Sequence, residues 1–233
     1  MELYEFEQAR NDYQQALQIN IEFGECYSQA RSYHQLGRVA QELREFEQAR
    51  NDYQQALQIF IEFDDRHSQA STYQQLGIVA HELREFEQAR KDYQQALEIK
   101  IEFDDRYSQA STYHQLGIVA QELREFEQAR NDYQQALQIC IEFDDRYSQA
   151  STYYQLAKVA EEVGEIDQAI SDYMMDLQIT AEFNDQHGLG ISLRNLDRLY
   201  KSNPSPQLLS AISQVLNISD AEVLQLFAQV RLN

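Results

Sequence analysis

The amino-acid sequence predicts an all-α protein, an α-solenoid of stacked antiparallel helix pairs. Three observations carry that prediction. A forty-residue block recurs along the chain, with EFEQAR beginning at Glu5, Glu45, Glu85 and Glu125 and a degraded copy, EIDQAI, at Glu165. Inside each block the apolar residues fall at i, i+3, i+4 and i+7, the stripe of an amphipathic helix. Only 2 Pro and 7 Gly occur in 233 residues, too little turn-forming material for a sheet-rich fold.

The elements follow in chain order. Residues 1–23 read as the second helix of a truncated repeat, because residues 2–6 match 42–46 at all but one position, as a cut through a longer array would. Leu3, Phe6, Tyr13 and Leu17 then lack a pairing helix and are expected to stay partly uncovered, an apolar patch that offers end-to-end association into a homo-oligomer. Residues 24–183 read as four repeats, and the blocks 44–83 and 84–123 differ at only six positions. Tyr73, Leu76, Val79, Ala80 and Leu83 mark a first helix. Phe86, Ala89, Tyr93, Ala96, Leu97, Ile99 and Phe103 mark a second, longer one. A short turn near Leu83 to Glu85 joins them, and Gly164 stands at that place in the fourth copy, where its backbone freedom suits a turn. At Asp64-Asp65-Arg66 the chain breaks again, and an aspartate there can accept hydrogen bonds from the next helix's free N–H groups. Neither helix buries its stripe alone, so neighbouring pairs must stack.

Residues 184–203 read as the first helix of a fifth, incomplete repeat, and residues 204–233 as capping helices that cover the end of the stack. Ser205-Pro206 is an N-cap followed by proline at the first helical position. Leu208, Leu209, Ile212, Val215 and Leu216 form the stripe of one helix, and Ser219 with Glu222 a capping box for the next.

The pattern Tyr73, Leu76, Gly77, Ala80, Ala89, Tyr93, Ala96 resembles the tetratricopeptide-repeat signature. It recurs as Tyr33, Leu36, Gly37, Ala40, Ala49, Tyr53, Ala56 and as Tyr113, Leu116, Gly117, Ala120, Ala129, Tyr133, Ala136. The fourth copy departs at Ala157, where glycine is usual, and at Asp176, where alanine is. The usual closing proline is replaced by Ile61, Ile101 and Ile141, so the second helix should run on, as in the lengthened repeats of kinesin light chain, Pins-type adaptors and bacterial STAND-type signalling proteins. The resemblance implies a right-handed superhelix whose first helices line a concave peptide-binding surface. Small residues such as Gly77, Ala80, Ala89 and Ala96 fit positions where helix axes approach closely.

Composition excludes several roles. With 19 Lys plus Arg against 39 Asp plus Glu, the net charge of -20 repels polyphosphate and anionic lipid, so neither nucleic acid nor membrane is an expected partner. Cys26 and Cys140 are too few for a disulfide framework and suggest a reducing, cytoplasmic setting. No phosphate loop, HExxH, CxxC or GxSxG occurs, so no enzymatic activity, metal or cofactor is expected. The histidines sit on different repeats and interchange with Gln and Tyr, and the recurring acids read as a solvated face. Helix, Leu-Asn-Ile-Ser, helix between Leu208 and Val230 has a helix-turn-helix outline, but Asp220-Ala221-Glu222 would lead a recognition helix that has Arg231 as its one cation.

Differences between such similar copies mark where something besides packing acts. The resemblance assigns the groove-facing slots to Arg31, His34, Arg38, Gln41; then Ser71, Gln74, Ile78, His81; then Ser111, His114, Ile118, Gln121; then Ser151, Tyr154, Lys158, Glu161. Arg194 and Arg198 continue the series. Cations gather in this stripe of an acidic chain, with Ile78 and Ile118 between them, which fits a protein or peptide partner with apolar anchors and acidic flanks. The family's chaperone-tail clamp is not matched, because His34 and Arg38 stand in its first slots. The expected function is a non-catalytic protein-interaction scaffold, the sensor or recruitment part of a larger signalling protein; a self-assembling module and a peptide-sensing regulator are the alternatives. A second variable slot, Asn20, Phe60, Lys100, Cys140, Thr180, reads as unconstrained surface.

Overall fold

A computed structural model describes residues 2–231, and among the described residues every regular element is an α-helix. Chain order runs α1 (Glu2–Glu22), α2 (Cys26–Glu42), α3 (Phe46–Glu62), α4 (Arg66–Glu82), α5 (Phe86–Glu102), α6 (Arg106–Glu122), α7 (Phe126–Glu142), α8 (Arg146–Glu162), α9 (Ile166–Glu182), α10 (Gln186–Ser202), α11 (Pro206–Leu216) and α12 (Asp220–Val230). The all-α fold of consecutively paired helices expected from the repeat is therefore present.

Both turns of the repeat depend on one residue with a left-handed backbone. Arg44, Arg84 and Arg124 take φ of 60°, 60° and 61° after the first helix, and Gly164 takes 82° at the same place. Asp64, Asp104, Asp144 and Asn184 do so after the second helix, at φ between 52° and 54°. Asp65, Asp105 and Asp145 then accept a hydrogen bond from the backbone N–H three residues on, capping α4, α6 and α8. The second helix is not the longer one: α4 and α5 both have 17 residues. Apolar periodicity locates the first helix only from Tyr73 because its opening turns, Arg66 to Thr72, are polar or small. Phe103, counted in the second helix's buried stripe, is its C-cap and is 57% exposed. Asp52, Asp92, Asp132 and Asp172 also correct an expectation, since they are buried rather than part of a solvated face. Gln48, Gln88, Gln128 and Gln168 donate to them from one turn earlier. Burial pushes Asp92 up to about 6.

The chain divides into two compact units, Met1–Leu123 and Arg124–Asn233. In the first, α1 to α6 pack each on the next. Tyr53 and Tyr93 are fully buried against the glycine of their own repeat: a Cβ at Gly37 would lie 2.8 Å from the Tyr53 ring, and one at Gly77 2.6 Å from Tyr93. Core residues form small clusters in repeat register, Ala40, Ala49, Tyr53, Leu76 and Val79 in one, Ala80, Ala89, Tyr93, Leu116 and Val119 in the next. Ion pairs step between repeats, Arg10 to Glu45 at 2.5 Å, Arg50 to Glu85 at 2.6 Å and Arg66 to Glu102 at 2.7 Å. On α1, Phe6, Tyr13 and Leu17 are half-buried, while the Leu3 side chain lies outside the described residues.

In the second unit α7, α8, α9 and α10 continue the pairing, and the same ladder recurs as Arg130–Glu165 at 2.7 Å and Arg146–Glu182 at 2.8 Å. Ala157 replaces the glycine beside Tyr173, and both are buried. At the unusual Asp176 the carboxylate accepts a 2.6 Å hydrogen bond from Ser192, and burial pushes its pKa up to about 6. α11 packs on α9, α12 packs on α10, and the two pack on each other. Ser205 caps α11 with Pro206 behind it, and Ser219 and Glu222 form the capping box of α12. Leu196, Ile212, Val223 and Phe227 join Tyr173 and Leu177 in one continuous core.

Candidate functional site

Some of the variable positions line spaces between successive first helices. In the first unit two cavities open there. One, of about 200 Å³, is lined by Arg31, His34 and Gln35 of α2, His67, Ser68 and Ser71 of α4, and Phe60 of α3. Its neighbour, of about 260 Å³, shares His67 and Ser71, adds Gln74 and Gln75, and has Lys100 of α5 at its base with Asp105 and Ser108. Helical spacing produces this arrangement: residues 67, 71, 74 and 75 fall on one face of α4.

The slot read as unconstrained surface is thereby corrected. Phe60 and Cys140 are each 3% exposed and Thr180 is 7% exposed. Asn20 donates to the hydroxyl of Ser32, and the Lys100 ammonium donates to Gln74, Thr112 and the Ser108 carbonyl. The slot lies where the second helix meets the first helix of the following repeat. Buried glutamines fix that meeting: Gln69 donates to the Phe60 carbonyl at 3.0 Å, Gln109 to that of Lys100 at 3.3 Å and Gln149 to that of Cys140 at 3.1 Å. Its residues range from apolar to cationic, so hydropathy carries no sign of burial here.

The predicted groove residues divide into three groups. Arg31 and His34 line the Phe60 cavity, and Gln74 lines the Lys100 cavity. Burial, reinforced by the Arg38 charge, lowers the His34 pKa; its buried Nε2 has no hydrogen-bond partner, and its ring packs 5.3 Å from that of Tyr53. His114 is half-buried, and burial pushes it down to about 4, so it too is neutral near pH 7.

A second group is partly engaged by packing. Gln41 accepts from the Tyr53 hydroxyl at 3.0 Å, and Glu161 from Tyr173 at 2.8 Å. Where His81 occupies that slot its Nε2 is buried without a partner, and the Tyr93 hydroxyl turns instead to Gln115 at 3.4 Å. His81 packs on Phe86, Ile78 leans on the Tyr93 core, and Ile118 and Gln121 are half-buried.

The third group holds the cations. Arg38 donates to Gln35, and Lys158 donates to Gln155 and sits 5.6 Å above the Tyr154 ring, itself 6.0 Å from Tyr173. Arg194 reaches the Val230 carbonyl at 3.4 Å. Arg198 alone of these forms an ion pair, bidentate to Glu161 at 2.6 and 2.7 Å.

A second kind of cavity repeats without change of chemistry. Arg10, Tyr33, Glu45, Gln48 and Asp52 line about 370 Å³ in the first unit, and Arg130, Tyr153, Glu165, Gln168 and Asp172 about 300 Å³ in the second. Constancy from copy to copy assigns these to the packing of the repeat. Among the described residues no group of three or more His, Cys, Asp or Glu converges as a metal site, and no helix is long and apolar enough to cross a membrane.

The family model described as Tetratricopeptide repeat matches residues 2–62, 28–102 and 108–175. Among solved structures, BtubC (BKLC) from P. vanneervenii superposes with a TM-score of 0.73 at 18% identity, over 97% of this chain and 92% of that one. A Rap protein complexed with competence and sporulation factor gives 0.68 at 17% identity, over 99% of this chain and 66% of that one. The STAND protein with a tetratricopeptide-repeat sensor from Pyrococcus horikoshii gives 0.69 at 15% identity, over 88% of this chain and 36% of that one. At these identities the likeness is one of fold. A sequence comparison with curated proteins finds no match.

Proposed function

The chain belongs to the tetratricopeptide-repeat family, and from that premise we propose that it is a non-catalytic scaffold that binds a polypeptide segment along its first helices. The observation that carries this reading is the pair of adjoining cavities in the first unit, lined by the copy-to-copy variable residues Arg31, His34 and Gln74. Surfaces that vary while the surrounding frame repeats are where recognition acts apart from folding.

The charge pattern supports an acidic partner. Arg31, Arg38, Lys158 and Arg194 form no ion pair among the described residues, whereas Arg10, Arg50, Arg66, Arg130 and Arg146 are paired across repeats. In the first unit the binding face comprises Arg31, His34, Arg38, Gln41, Gln74, Ile78, His81, His114, Ile118 and Gln121; in the second it comprises Tyr154, Lys158, Arg194 and Arg198. Two free cysteines fit a reducing cytoplasmic compartment. The similarity to a STAND sensor, and to a Rap protein solved with its factor bound, favours a sensing or recruiting part of a signalling protein.

Charge reversal at Arg38, Lys158 and Arg194, followed by pull-down from native extract, tests the reading. Loss of the partners recovered by the unaltered chain is the expected result. Unchanged recovery would discard the groove.

A further inference from the structure

Lys100 is the cation that α5 contributes to the lining of the 260 Å³ cavity. Its ammonium makes three hydrogen bonds, to Gln74 Oε1 at 3.1 Å, the Ser108 carbonyl at 3.2 Å and Thr112 Oγ1 at 2.7 Å, and every acceptor is neutral. The acid that shares the cavity, Asp105, favours the charged amine from a distance without touching it, its carboxylate being engaged as the N-cap of α6 and accepting from the Ser108 N–H at 3.2 Å. A half-buried ammonium without a contacting counter-ion opposes folding. Burial accordingly pushes its pKa down to about 8, which still leaves most of it protonated at neutral pH.

The fold does not require that charge. Phe60, Cys140 and Thr180 hold the same slot in neighbouring repeats, buried and uncharged. Gln74 varies with it: His34, His114 and Tyr154 stand in its place elsewhere, and here its carbonyl oxygen faces both the amine and the Thr112 hydroxyl at 2.9 Å. A carboxylate oxygen in that position would accept from the same two donors in place of the glutamine. Around it the cavity of about 260 Å³ supplies further donors in Ser71, Gln75 and His67.

We propose that the Lys100 cavity is a binding site for a carboxylate, which would give the amine a counter-charge in direct contact. Its source is either an acidic residue of the polypeptide bound in the groove, in which case the inference rests on the scaffold reading, or a free small carboxylate. The adjoining cavity floored by Phe60 has an aromatic base, so a polypeptide occupant would place an apolar side chain beside its acidic one.

The test uses the full chain and two probes. Thermal unfolding with glutarate or with its neutral analogue glutaramide is compared for the wild type, Lys100→Met and Lys100→Cys, the last copying the natural residue of the next repeat. Glutarate should raise the wild-type Tm by more than it raises either variant's, with glutaramide raising none. Equal rises in wild type and variants, or no rise, overturn the proposal; either variant alone decides if the other fails to fold. Peptides selected from a random library on the wild type then identify the source. A Glu→Gln change in a selected peptide should weaken wild-type binding about tenfold, the worth of a hydrogen bond to a charged group, and leave Lys100→Cys binding unchanged. Glutarate binding with no selectable peptide keeps the carboxylate site and removes the scaffold reading.

Discussion

Two regions of the molecule solve the same packing problem differently. Between Ala40 and Leu123 the core is dealt out in small clusters, two of which hold one buried tyrosine each and repeat in register. From Ala157 onward a single cluster runs through α8 to α12, joining Tyr173 and Leu177 to Leu196, Ile212 and Phe227. The first arrangement makes each repeat's stability a sum of its own contacts and those to its neighbours. The second pools the apolar area of several helices, so its parts should stand or fall together. The closing helices carry their own caps at Ser205 and Ser219.

The largest effect expected from this contrast is at Phe227, fully buried in the pooled core. Phe227→Ala should cost about 3–5 kcal/mol by urea unfolding, and amide exchange should rise across α9 to α12 together. Faster exchange confined to α12 would break the comparison. Next comes Gly77→Ala, whose Cβ would meet the Tyr93 ring at 2.6 Å. A loss of about 1–3 kcal/mol is expected from overpacking, with exchange altered only in α3 to α6; a change as widespread as that of Phe227→Ala would erase the distinction. The smallest effect has the opposite sign. Asp176 is an ordinary carboxylate when unfolded and has its pKa pushed up to about 6 when folded, so its ionisation opposes folding increasingly as pH rises from about 4 and in full above about 6. Asp176→Ala, the residue usual at this place, should stabilise the chain by about 1 kcal/mol at pH 7. Ser192 keeps the Gly188 carbonyl as acceptor. That gain should shrink in thermal melts as pH falls from 6 towards 4, and a gain independent of pH would remove the buried charge as its cause.

The helix pairs were legible because their signals are periodic: Tyr73, Leu76, Ala80, Ala89, Tyr93 and Ala96 each recur at a fixed offset, and their small and large members interlock in space. The caps were legible for the same local reason, since Asp65, Ser205 and Ser219 act within three residues of themselves. The floor of the cavities was not. Phe60 and Lys100 share no polarity, and their common burial follows from where α3 and α5 meet the next first helix, a relation between residues far apart in the chain. Gln41 and Glu161 looked like free groove slots because nothing local reveals that Tyr53 and Tyr173 turn their hydroxyls towards them. The aspartates that recur with the repeat, such as Asp92, were misread because acidic residues are seldom buried without a cation in contact; here a glutamine one turn away fills that role.

The arginine and glutamate that bind one repeat to the next lie 35 residues apart in the pairs Arg10–Glu45 and Arg50–Glu85, so each pair crosses from one forty-residue block into the next. Each block therefore carries the plug for its successor and the socket for its predecessor. Excising residues 44–83 would join Leu43 to Arg84, the same junction as Leu83-Arg84, and would hand Arg10 to Glu85. Array length is in this sense an adjustable quantity, one that duplication or loss of a block could change while every surviving joint keeps its chemistry.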